Sequence, residues 1–104
     1  MERYAWVAKL RPGKLEAYEL LHRELWPEMT AMLDEAGIRN YTIWTDGVSL
    51  FGYYECDSVE RAARVQRESE VNARWSRLMQ EYLIAEPDPV TGAQPQLRRV
   101  FLHP

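Results

Sequence analysis

The sequence predicts an α+β fold with the element order β-α-β-β-α-β, on three observations. Apolar residues alternate in four segments, they recur at helical spacing in two longer ones, and an Asp-Gly pair separates the two middle strand segments. That order fits a ferredoxin-like, split βαβ layout, an antiparallel four-stranded sheet with helices on one face. With 104 residues, positions 1–104 are expected to form a single domain.

The first strand is read at Tyr4 to Leu10. Tyr4, Trp6, Ala8 and Leu10 share one face, Ala5, Val7 and Lys9 the other, and Arg11-Pro12-Gly13 closes it. Between Lys14 and Gly37 the period becomes helical, through Leu15, Tyr18, Leu21, His22, Leu25, Met29, Met32, Leu33 and Ala36. Pro27 interrupts this run, because proline lacks a backbone donor and crowds the carbonyl four residues earlier. A break near Leu25-Trp26 is therefore predicted, with Pro27 opening a second helical piece.

Arg39 to Thr45 and Val48 to Cys56 read as a hairpin turning at Asp46-Gly47. Asp57 or Ser58 can cap the next helical run, which continues to Tyr82 with a break near Ser69-Glu70. Glu86 to Pro95 has loop composition, and Leu97 to Leu102 alternates as a final strand. Tyr41, Ile43, Trp44, Phe51, Tyr53 and Tyr54 populate both faces of the hairpin. So many aromatics predict either a homodimer pairing sheet to sheet or a ligand cleft between sheet and helices.

Thirteen Lys and Arg against sixteen Asp and Glu give a net charge of −3, which argues against nucleic acid as a partner. The arginines at 61, 64, 67, 74 and 77 are interleaved with Glu60, Glu68, Glu70 and Glu81, the pattern of a solvated helix surface. The lone Cys56 reads as a packing residue, and no Cys/His spacing suggests a metal site. Neither a signal-peptide segment nor a membrane-length apolar run is seen, so a cytoplasmic protein without membrane association is expected.

The sharpest local feature is Tyr18-x3-His22-x3-Trp26, whose spacing of four sets the three on one helical stripe facing the sheet. His22 fits two readings: a core imidazole bonded to a backbone carbonyl, or a general acid or base near neutral pH. Tyr18, Trp26, Tyr41 and Trp75 are likewise either core fillers or walls of a pocket. Aromatic faces suit the C–H faces of a sugar, while hydroxyl and imidazole groups suit its polar edge.

Tyr18, His22, Trp26-Pro27-Glu28, Asn40-Tyr41, Arg74-Trp75 and the closing Val100-Phe101-Leu102-His103-Pro104 occur in register, and with them the chain resembles the L-rhamnose mutarotases end to end. The resemblance implies a dimeric α+β barrel without cofactor or metal, acting on the anomers of L-rhamnose. It puts a proton donor at His22 and sugar contacts at Tyr18, Tyr41 and Trp75. Ser76 stands where the family commonly has a second Trp, which implies a wider or more polar pocket there, and His103 also departs from the usual ending. Mutarotation needs a proton delivered to the ring oxygen and one removed from the anomeric hydroxyl. The sequence assigns no second group for this. Two other readings fit the same fold: a cofactor-free monooxygenase-type barrel enzyme, and a non-catalytic sugar-binding module.

Overall fold

The computed structural model describes residues 1–84 and 96–104. The elements are β1 (Glu2–Leu10), α1 (Leu15–Arg23), α2 (Pro27–Glu35), β2 (Arg39–Thr45), β3 (Ser49–Cys56), α3 (Val59–Glu68), α4 (Glu70–Met79) and β4 (Leu83–Ile84). They form one four-stranded sheet in the order β2-β3-β1-β4, with every neighbouring pair antiparallel. This is the predicted ferredoxin-like α+β layout.

Both predicted helix breaks occur, each for a local reason. Trp26 is extended (φ −56°, ψ 134°), as a residue preceding proline tends to be, and Pro27 then starts α2 where its missing N–H costs nothing. At the second break Ser69 is also extended, and its hydroxyl accepts from the Asn72 N–H at 3.1 Å to start α4. Ser58 does the same for α3 through Arg61 N–H, again at 3.1 Å. In the hairpin, Asp46 Oδ1 accepts from the N–H groups of Val48 and Ser49 at 2.9 and 2.7 Å, and Gly47 takes the positive φ of 94° that the turn demands.

The last strand is not where alternation put it. Leu83–Ile84, directly after α4, pairs with Lys9 and Leu10, and this docking is extended by the Arg11 N–H donating to Tyr82 O at 2.8 Å. From the expected Leu97–Leu102 strand only the start touches the sheet: Gln96 bridges Trp6, and Leu97 N–H donates to Ala5 O. Beyond it, Val100 and Phe101 are exposed and belong to no strand. Alternation registers a two-sided segment; it does not register whether a ladder partner exists. The Glu86–Pro95 loop lies outside the described residues.

The core fills the space between the helices and one sheet face. Trp6, Ala8, Leu10, Leu50, Tyr54 and Cys56 from the strands meet Tyr18, Met29, Met32, Ala62, Trp75 and Met79 from the helices. Trp6 lies flat across Gly52, its register partner on β3; a Cβ there would stand 2.0 Å from the indole Cε2. On the opposite sheet face no helix packs among the described residues, and Phe51 and Trp44, cross-strand neighbours, are both exposed.

Candidate active site

A cavity of about 640 Å³ opens between the helices and the inner sheet face. Tyr18 and His22 reach it from α1, Tyr41 from β2 and Trp75 from α4, so four of the residues singled out in the sequence converge on one hollow. Their rings are in mutual contact on the helical side. His22 lies 4.2 Å from the Tyr18 ring and meets Trp75 edge-on at 5.3 Å, with an interplanar angle of 81°.

Trp26 and Ser76 sit elsewhere. Trp26 packs edge-on behind Trp75 at 5.1 Å and does not line the cavity. Arg74 covers its ring at 5.8 Å and also pairs with Glu28 Oε2 at 2.8 Å, so the Trp-Pro-Glu and Arg-Trp motifs fasten α2 to α4. Ser76 is exposed and outside the lining. Successive helical residues point about 100° apart, and with Trp75 turned inward its neighbour faces away. A wider or more polar pocket therefore cannot be attributed to the Ser76 side chain.

The two readings of His22 turn out to be compatible. Its Nδ1 lies 2.8 Å from the Tyr18 carbonyl oxygen, and since a carbonyl only accepts, Nδ1 carries a proton. The half-buried ring still lines the cavity, and among the described residues no hydrogen bond engages Nε2. Burial pushes the His22 pKa below its ordinary 6.5, opposed more weakly by the bond to Tyr18. The neutral ring with Nδ1–H and an Nε2 lone pair is thus the form held at neutral pH. Burial holds the Tyr18 and Tyr41 phenols well above their ordinary range, so both stay protonated.

Sequence reasoning missed the polar groups supplied by the second helix pair. Gln66 and Asn72 both line the cavity on either side of the Ser69 break. Asn72 Nδ2 donates to Gln66 O at 3.1 Å, which leaves Oδ1 as its acceptor end. Glu19 and Arg23 complete the charged lining from α1.

A family model described as L-rhamnose mutarotase matches residues 3–103. The chain belongs to the L-rhamnose mutarotase family. Among curated mutarotases of that name, it is 37% identical over 105 residues to one from Lachnoclostridium phytofermentans, covering 97% of each chain. It is 35% identical over 108 residues to one from Shigella flexneri, covering 100% of each. The crystal structure of an L-rhamnose mutarotase from Formosa agariphila superimposes over the full length of both chains, with a TM-score of 0.81 and 25% identity. Tetracenomycin F2 cyclase from Streptomyces glaucescens shares the fold at a TM-score of 0.71, and its 16% identity bears on the fold alone. Membership among the mutarotases favours the anomer-exchanging reading over both the monooxygenase and the sugar-binding-module alternatives.

Proposed function

We propose that this chain interconverts the α and β anomers of L-rhamnose, with His22 moving the proton and Tyr18, Tyr41 and Trp75 holding the sugar. The observation that carries the proposal is the His22 ring, with Nδ1 committed to the Tyr18 carbonyl and the ring lining the cavity shared with Tyr41 and Trp75. One nitrogen can serve both transfers. The anomeric hydroxyl and the ring oxygen are bonded to the same carbon, so both fall within reach of Nε2.

In this mechanism the neutral Nε2 takes the anomeric hydroxyl proton. The electron pair left on that oxygen forms the aldehyde C=O as the bond from C1 to the ring oxygen breaks. Nε2–H then delivers the proton to the departing ring oxygen, which is the donor role expected of His22. After rotation about C1–C2 the same steps run backwards onto the other face of the aldehyde. The cavity holds the open chain in place for reclosure. No second acid or base is needed.

Saturation-transfer NMR with L-rhamnose, L-fucose, L-lyxose and D-glucose tests the activity. Exchange above the buffer rate, fastest with L-rhamnose, is expected; exchange equal to buffer with all four overturns the proposal. The pH dependence tests the mechanism. Because the neutral imidazole initiates, enzyme-dependent exchange is level above pH 6.5 and falls as the pH drops through the depressed His22 pKa. Tyr18 and Tyr41 stay protonated throughout this range. A rate that climbs on acidification would instead make the imidazolium the active form. The same shift bears on folding: stability from the neutral ring is complete above about pH 6.5, the unfolded value, and declines as the pH falls through the folded one.

The proposal includes a homodimer formed on the sheet face opposite the helices, in a cytoplasmic setting. Exposed Phe51 and Trp44, with Val48 at the hairpin and Ile84 at the edge, support an apolar contact surface. No helix among the described residues is long and apolar enough to cross a membrane. Sedimentation should report the mass of two chains for the wild type and a shift towards one for Phe51→Glu, which would bury a carboxylate in such a contact. A monomeric wild type excludes the dimer.

A further inference from the structure

The sequence places Trp6 only on the face of the first strand shared by Tyr4, Ala8 and Leu10, and it does not line the cavity. Its indole Nε1–H, however, donates to the Tyr41 hydroxyl at 2.9 Å. An indole N–H can only donate, so the Tyr41 oxygen must accept, and the phenol's own proton must point to another acceptor. Among the described residues no hydrogen bond takes that proton, and Tyr41 faces the hollow.

We infer that Trp6 is a positioning residue: its N–H fixes the Tyr41 phenol as a hydrogen-bond donor to the bound sugar, and Gly52 provides the space in which the indole lies. The inference rests on the sugar-binding role proposed for Tyr41 above.

Two features of the sheet make the arrangement rigid. The indole crosses β3 at Gly52, where any side chain would collide with it, so ring position and glycine are coupled. Tyr41 is reached through a bulge in β2, where the register shifts between Arg39 and Thr42 and Asn40 takes a left-handed φ of 50°. Asn40 Nδ2 anchors that bulge by donating to Glu55 Oε1 at 2.8 Å. Burial keeps the phenol protonated, which preserves the donor.

The consequence is selectivity for one kind of ligand atom. Facing Tyr41 there must be an oxygen offering a lone pair, either the ring oxygen or a hydroxyl. A sugar with only C–H at that point strands a donor and binds more weakly. Without the indole, the phenol can turn and accept as readily as donate, and the discrimination fades.

The test is a double-mutant cycle of Trp6→Phe, Tyr41→Phe and the pair, with exchange measured against L-rhamnose concentration. Trp6→Phe keeps a flat ring and removes the N–H. Replacing Trp6 alone by benzothienylalanine, in which sulfur takes the place of N–H in the same bicyclic outline, serves the same purpose should Phe fail to fold. We expect either change to raise KM about three- to tenfold, the worth of one hydrogen bond, with kcat and the pH profile little altered. In the Tyr41→Phe background the Trp6 change should add nothing to KM. The inference is overturned by an unchanged KM in the single Trp6 variants, or by the same rise recurring when Tyr41 is already Phe. If the wild type binds L-rhamnose without exchanging its anomers, the catalytic proposal alone fails, and Kd from NMR titration reads the same cycle. If it does not bind L-rhamnose at all, both fail.

Discussion

Replacing His22 with Gln lowers enzyme-dependent anomer exchange by about 10²–10⁴-fold, the usual contribution of a positioned acid or base. Gln is of similar reach and polar, but its amide has no protonation equilibrium near neutral pH and cannot serve as acid or base there, so the change removes the chemistry more than the shape. KM should move less than kcat, because the sugar contacts proposed for Tyr18, Tyr41 and Trp75 remain. His22→Ala should show the same loss of rate and a further drop in stability, since it also empties the space beside the rings of Tyr18 and Trp75. Saturation-transfer NMR measures both variants. An exchange rate within a few-fold of wild type in either one removes His22 from the mechanism, whatever its contacts.

Trp75→Ala acts on structure and site together. The indole is only 8% exposed and stands between two aromatic neighbours, His22 on the cavity side and Trp26 behind it. Truncating a buried Trp costs about 3–5 kcal/mol, because the lost apolar contact is joined by a void that neighbours only partly fill. Domains of this size have about 5–15 kcal/mol in all, so the melting temperature should fall by more than about 10 °C. Trp75→Phe keeps an aromatic face and should lose less stability, while a raised KM for L-rhamnose would support the proposed packing of the indole on the sugar. Calorimetry and exchange kinetics separate these effects. A melting temperature unchanged in Trp75→Ala would show that the indole contributes nothing to the core.

Much of this architecture is legible in the sequence because local chemistry governs it. Pro27 cannot sit inside a helix, Ser58 and Ser69 have hydroxyls to cap one, and Asp46-Gly47 suits a tight turn; all four act where they stand. Alternation misplaces the fourth strand because two residues, Leu83 and Ile84, are too few to show a period, whereas Leu97 to Leu102 shows one but joins the sheet only at its start. In the site, the spacing of four identifies Tyr18 and His22 as neighbours. The residues alone leave Tyr41 and Trp75 as core fillers or pocket walls, and the family resemblance adds the expectation of sugar contacts. Gln66 and Asn72 carry no local signal, because their approach depends on the angle between α3 and α4. Trp6 is hidden for a related reason: 35 residues separate it from the phenol it touches.

The roof of the cavity consists of four helices of nine or ten residues, interrupted at Trp26 and Ser69. Segments that short do not persist alone in water, so they remain wound chiefly because Tyr18, Met29, Ala62, Trp75 and Met79 are seated on the sheet. A substitution that empties one of these seats, at Met29 or Met79 for instance, therefore loosens the winding of its helix as well as the core beneath it.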